Sequence, residues 1–123
     1  MCTILMSIKP KYAEAILNGT KKFEYRRTRC RDNVGTIIIY ATYPVMQVVG
    51  KVNFTGIIED TPNNVWKKTK AHSGITKDFF DSYYAGKTKA FAYKLGKVKK
   101  YRHPKTLSDF DITHAPQSFV YVK

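Results

Sequence analysis

Apolar positions along the chain follow two periods, and the order of those periods predicts the elements. Thr3 to Ile8 is a short run dominated by apolar residues, as in a strand buried on both faces. Pro10 suits the first position of a helix, and Tyr12, Ala13, Ile16 and Leu17 fall on one face of Pro10–Asn18. Asn18-Gly19 stops that helix, because glycine accepts the left-handed conformation. Phe23 and Tyr25 then alternate with Glu24 and Arg26, which predicts a short strand with an apolar and a charged face. Asp32-Asn33-Val34-Gly35 is a turn, and Thr36–Ala41 is β-branched and nearly all apolar. Val48–Thr55 alternates, giving a long strand with one wet face, and Gly50 and Gly56 are bend points.

The second half repeats these signals. Thr61-Pro62 caps a helix whose apolar side is Val65 and Trp66, and Ser73-Gly74 breaks it. Thr76 caps a second helix, Lys77–Tyr84, with Phe79, Phe80, Tyr83 and Tyr84 at i, i+4 spacing. Ala90–Leu95 alternates, Gly96 bends the strand, and Val98–Tyr101 continues it. Thr106 and Asp109 are spaced as a capping box. Ser118–Val122 is a last strand, expected to close the sheet. The sum is about six strands and three or four short helices. It predicts an α+β fold, a small mixed β-barrel with helices capping its ends, in one domain over residues 1–123.

Charge adds a partner. The chain carries 22 Lys and Arg against 9 Asp and Glu, a formal +13, which points to an anion, most commonly nucleic acid. Apolar residues at 43% and aromatics at 14% exclude a disordered chain. Cys2 and Cys30 are too few for a disulfide framework or a zinc site and are expected as free thiols in a reducing cytosol. No apolar run is long enough for a membrane span, and the N-terminus lacks the layout of a signal peptide. The expected location is the cytoplasm.

Candidate chemistry narrows to one stretch. Gly19 to Arg31 holds six basic side chains around one carboxylate, Glu24. Elsewhere, the segment Val65–Tyr84 makes a poor helix-turn-helix, because its would-be recognition helix has one lysine and is rich in Asp and Phe. His72, Ser73 and Asp78 lack the elbow and spacing of a hydrolytic triad. No Cys, His and Asp spacing suits a metal, and no glycine loop suits a phosphate, so neither metal nor cofactor is expected. Lys21, Glu24 and Arg26 remain. A buried lysine beside cations becomes a base or nucleophile, a carboxylate moves a proton or accepts from a base edge, and an arginine grips phosphate. By spacing alone, an ion-pair network that merely fixes the strand accounts for them better. Strict alternation also sends the Lys21 side chain away from Glu24 and Arg26, so the three converge only if the chain turns near Lys21-Lys22.

The blocks Ser7-Ile8-Lys9-Pro10, Asn18-Gly19 and Gly19-x-Lys21-x-x-Glu24-x-Arg26 together resemble the ASCH domain family of the PUA-like β-barrel superfamily. Tyr40-Ala41 with Pro44 and Val49-Gly50, the segment Gly74 to Tyr83, and Pro116-Gln117-Ser118-Phe119 are similar to single-domain bacterial and phage members. The resemblance implies a cleft between barrel and first helix, lined by Lys21, Glu24 and Arg26. It also implies binding of RNA or of a modified nucleoside or nucleotide. Lys21 and Arg26 are expected on phosphate, Glu24 on a base edge, and Tyr40 or Tyr43 stacked on a base. Arg27, Arg29 and Arg31 extend an electrostatic track, and Lys9 and Ser118, each within a resembling block, join the binding candidates. Some members hydrolyse acetylated cytidine and others are ribonucleases, so the alternative is a small hydrolase with Lys21 and Glu24 catalytic. The amidohydrolase members carry threonine where this chain has Glu24 and use a downstream glutamate, for which Glu59 is the candidate. An accessory protein with a basic protein-contacting face is the third reading.

Overall fold

The computed structural model describes residues 1–123. Its strands are β1 (Cys2–Ile8), β2 (Phe23–Arg26), β3 (Val34–Ala41), β4 (Gln47–Asp60), β5 (Ala90–Lys105) and β6 (Phe119–Val122). They form one mixed sheet in the order β2-β5-β4-β3-β1-β6. The β1–β3 pair is parallel and the other ladders are antiparallel. β1 and β3 lie next to each other inside the sheet, which is why both are nearly continuous apolar runs. The α+β architecture with short helices is therefore as the hydrophobic pattern predicts.

Closure differs from the expectation. β2 and β6 stand at opposite edges and share no ladder, so the last strand does not close the sheet. The sheet curls until its ends face each other, and side chains span the seam. Tyr93 of β5 and Phe119 of β6 lie 6.5 Å apart, centroid to centroid. Arg26 on β2 donates to the Ser7 carbonyl at 2.8 Å and to Ser118 Oγ at 3.3 Å, and the Tyr121 hydroxyl of β6 accepts from the Arg31 N–H at 3.0 Å. β2 and β6 are each only four residues long, too short to sustain another ladder. The result is barrel-like without a closed hydrogen-bond circuit.

The bends come where glycine predicts them. The β4–β5 register shifts between Val48 and Gly50 and again between Phe54 and Gly56. A Cβ on Gly50 would sit 2.6 Å from the Lys99 carbonyl oxygen and 2.7 Å from Leu17. A third shift, between Val52 and Phe54, falls opposite Gly96, and β5 runs on through it as one strand.

Three helices cover this sheet: α1 (Pro10–Leu17), α2 (Pro62–Thr69) and α3 (Lys77–Tyr83). α1 buries Ala13 and Ile16 in the main core with Ile4, Met6, Ile37, Ile39, Val52 and Tyr93. α2 and α3 cover a second cluster around Phe80, whose ring lies 5.1 Å from Tyr25, 4.9 Å from Trp66 and 4.9 Å from Tyr84. Thr61 and Thr76 cap α2 and α3 through their side chains, and Thr106 with Asp109 forms the predicted capping box. Cys2 and Cys30 are both free, no helix is long and apolar enough to cross a membrane, and no group of three His, Cys, Asp or Glu is placed to hold a metal.

Candidate functional site

The end of α1 decides where Lys21 points. Gly19 takes a φ of +85°, its N–H bonds to the Ile16 carbonyl, and the Thr20 N–H reaches the Ala15 carbonyl. This pair of bonds is a Schellman stop. The Lys21 N–H also bonds to the Ala15 carbonyl at 3.1 Å, so Lys21 still belongs to the helix end. β2 begins only at Phe23. Strand alternation therefore does not bind Lys21, and its side chain turns onto the face that carries Glu24 and Arg26.

There it is buried, at 2% exposure. Lys21 Nζ donates to the Ser73 carbonyl at 2.5 Å and stands 3.8 Å from Glu24 Oε1. The rings of Tyr25 and Tyr12 lie beneath it at 4.9 and 5.5 Å. Burial pushes the Lys21 ammonium below its ordinary range, Glu24 pulls it back up, and Arg26 adds to the fall. Gly74 makes room for it. With φ at +70°, Gly74 packs so closely on the Lys21 stem that an added Cβ would meet its Cβ and Cγ at 2.6 Å.

Glu24 is held from the other side. Arg26 Nη2 donates to Glu24 Oε2 at 2.6 Å and also to the Ser7 carbonyl. Arg26 Nε has no partner although buried. The Tyr84 hydroxyl donates to the Arg26 carbonyl at 2.8 Å, clamping the end of β2. Ser7 Oγ donates to the Pro116 carbonyl at 2.7 Å, and the Ser7 N–H bonds to the Ser118 carbonyl, which fixes the loop before β6 over the guanidinium.

These side chains floor a cavity of about 460 Å³. Its walls are Tyr12, Tyr25, Tyr40, Ile75, Phe79 and Tyr83, and its rim is Lys9, Thr42, Tyr43, Met46 and residues 115–117. Tyr40 is buried at 4% exposure, whereas Tyr43 stands at the mouth at 81%. Burial raises the Tyr25 hydroxyl to about 12, so it enters any chemistry as a neutral donor; it donates to Thr69 Oγ1 at 2.8 Å. Lys9, Lys21, Glu24, Arg26, Tyr40 and Tyr43 thus share one cavity, and Ser118 supports it through Arg26.

Other singled-out residues lie elsewhere. Arg27 stacks on Tyr83, 4.3 Å from its centroid, and donates to its carbonyl. Arg29 pairs with Asp32 and Glu59, and Arg31 lies over the Tyr121 ring. Glu59 also pairs with Lys89, outside the cavity, so the site has one glutamate, Glu24. Tyr12, Phe79, Tyr83 and Ser7 are not among the binding candidates that the sequence offers, although Ser7, Phe79 and Tyr83 lie within the blocks that carry the family resemblance. One signal was available. Four aromatics between Phe79 and Tyr84 exceed what one face of a seven-residue helix can bury, and Phe79 and Tyr83 are the pair left toward the cavity.

A family model described as an ASCH domain matches residues 6–106. The chain is 34% identical to large ribosomal subunit protein uL22 of Ureaplasma parvum over 98% of its own length, but spans only 39% of that protein. It is 30% identical to an ASCH domain-containing ribonuclease of Zymomonas mobilis, over 74% of this chain and 62% of that one. The crystal structure of ASCH from Zymomonas mobilis superposes with a TM-score of 0.90 at 27% identity, covering 98% of this chain and 87% of its own.

Proposed function

The chain belongs to the ASCH domain family, and on that premise we propose that it binds RNA by drawing one unstacked nucleotide into the cavity. One observation carries the reading: aromatic walls and a charged, hydrogen-bonding floor are combined in a space of about 460 Å³. That volume suits a nucleoside-sized ligand. A base offers what both surfaces need, a π-face for the walls and donors and acceptors on its edge for the floor.

The depth of each residue assigns its role. Lys21 and Arg26 are too buried to meet the phosphate of a polymer, so they face acceptors on the base edge, and Glu24 accepts from its donors. Lys9, exposed on the rim, takes the phosphate, and Tyr43 stacks at the mouth. Ser118 and Ser7 keep the guanidinium oriented. Short single-stranded RNA is the test ligand. Stacking on an aromatic is worth about 1–3 kcal/mol per base, so Tyr43→Ala should weaken binding by roughly 5- to 150-fold. Lys21→Met, which keeps the stem and removes the charge, should abolish binding while circular dichroism stays native. Unchanged affinity in both variants overturns the reading.

A hydrolase is the second reading, favoured by the lowered proton affinity of Lys21 beside Glu24 and by the ribonuclease name of the Zymomonas relative. Lys21 as free amine would take a proton from the attacking hydroxyl, Glu24 would carry a proton to the departing oxygen as its bond to phosphorus breaks, and Arg26 would hold the reacting group. RNA cleavage that disappears in Lys21→Met supports it, and cleavage that survives the substitution sinks it.

A further inference from the structure

The second half of β5 pairs with β4 along one side and, past Lys94, has no ladder partner on the other, so residues 94–105 form a ribbon along a free edge of the sheet whose charged side chains are all basic. Lys94, Lys97, Lys99, Lys100, Arg102 and Lys105 all lie within residues 94–105, a stretch without one Asp or Glu. All six are exposed. None takes part in a salt bridge, whereas Glu24, Asp32, Glu59, Asp60 and Asp81 are each paired with cations elsewhere. The ladder register sets Lys51 opposite Lys99. Like charges facing each other across a ladder oppose folding, so a polyanion laid on this surface would relieve that repulsion.

The ribbon also leads to the cavity. Lys105 is paired with Val48, the same residue that β3 pairs with Tyr40 of the cavity wall. Val48 is two residues beyond Met46 of the rim. Cations therefore continue from the cavity mouth along the ribbon.

We propose that this β4–β5 ribbon is a second contact surface for RNA, gripping the phosphates that flank the nucleotide held in the cavity. The proposal rests on the RNA reading of the cavity. A protein partner fits the ribbon less well. Protein interfaces concentrate aromatic and apolar anchors and are depleted in lysine. The exposed large apolar residues of this chain are Met1, Tyr43, Val45, Met46 and Phe79, none of them on the ribbon. Phosphates need only point charges and polar neighbours, which exposed Lys51, opposite Lys99, and exposed Asn53 and Thr55 on the adjoining strand β4 supply.

The test compares two full-length variants of equal charge. One is Lys97→Gln, Lys99→Gln, Lys100→Gln and Arg102→Gln together. The other removes four exposed lysines away from both surfaces, Lys67, Lys70, Lys87 and Lys123. Each is titrated against a 20-nucleotide single-stranded RNA and a trinucleotide at several salt concentrations. Each phosphate contact on a single strand contributes about 0.7 to the log–log salt slope. The ribbon variant should therefore flatten the slope for the long RNA by roughly 3 and weaken binding by at least tenfold, with trinucleotide affinity unchanged. The control variant should keep most of the slope. Equal losses in the two variants, or an unaltered slope in the ribbon variant, overturn the proposal. So does tighter binding of wild type to phosphatidylserine vesicles or to an acidic peptide than to RNA. Long RNA that depends on the ribbon but not on Lys21 or Tyr43 would leave the ribbon standing and remove the cavity reading alone.

Discussion

Glu24 holds the charge balance of the site. It is the one anion between two buried cations, Lys21 at 3.8 Å and Arg26 at 2.6 Å. Removing one partner of a buried pair leaves uncompensated charge, at a cost of about 3–5 kcal/mol. Glu24→Gln should lower stability by that order in urea titration, and a loss below about 1 kcal/mol would show the network to be well solvated. Lys21 supplies a pH signature of the same sign as a depressed carboxylate, but below the ordinary lysine value rather than the carboxylate one. Its native proton affinity is below the unfolded value near 10.5. Between the two values the unfolded chain holds more protons, so stability rises with pH in that window. The stability of wild type relative to Lys21→Met should therefore climb with rising pH in the window below about 10.5. A flat difference means that Lys21 titrates normally. The sequence marks this residue but not where its side chain goes. Its direction depends on a helix stop and a short coil that place it outside the strand pattern.

Among the elements, the connection between the 3₁₀ turn Lys70–His72 and α3 matters as much as any strand. Gly74 combines a φ of +70° with contact against the Lys21 stem. Alanine there incurs the left-handed backbone cost of about 1–2 kcal/mol and must displace a buried side chain. Gly74→Ala should lower the melting temperature and weaken RNA binding together. Normal binding at reduced stability would mean that Lys21 keeps its place without this glycine. Read as sequence, Ser73-Gly74 was simply a helix break. Its second role appears only when Lys21, far away in the chain, is packed against it.

The whole molecule carries several buried tyrosines that the fold keeps protonated. Burial raises Tyr25 to about 12 and raises Tyr84 and Tyr93 as well. A raised acid affinity contributes stability that is complete below the unfolded value of about 10 and is lost as pH climbs through the native value. Alkaline unfolding should thus set in above pH 10, with Tyr25 alone accounting for on the order of 2–3 kcal/mol by pH 12. Tyrosinate absorbance should rise together with loss of the far-ultraviolet signal. Ionisation of these rings with the fold intact would contradict their burial. The same molecular view redistributes the charge. The cluster at Gly19–Arg31 looks from the sequence like one basic track, but Arg27, Arg29 and Arg31 are held by Tyr83, Asp32, Glu59 and Tyr121. The densest run of cations without ion pairs lies instead on β5, between Lys94 and Lys105.

Local physics was legible without coordinates. Apolar periodicity, Pro10, Gly19 and the threonine caps act over a few residues, so they predict the strands, the helices and the α+β class, and the Gly19–Arg26 motif marks where three unlike charges gather. Closure of the sheet, convergence of Lys21 on Glu24, the aromatic walls and the pairing of each arginine depend on contacts between distant segments. β2 meets the start of β6 through Arg26, and Lys21 meets Ser73. No local periodicity encodes such meetings, because they are set by how the curled sheet brings its two edges together. The tertiary structure therefore decided which of many basic side chains are buried, which are paired, and which remain free to meet an anion.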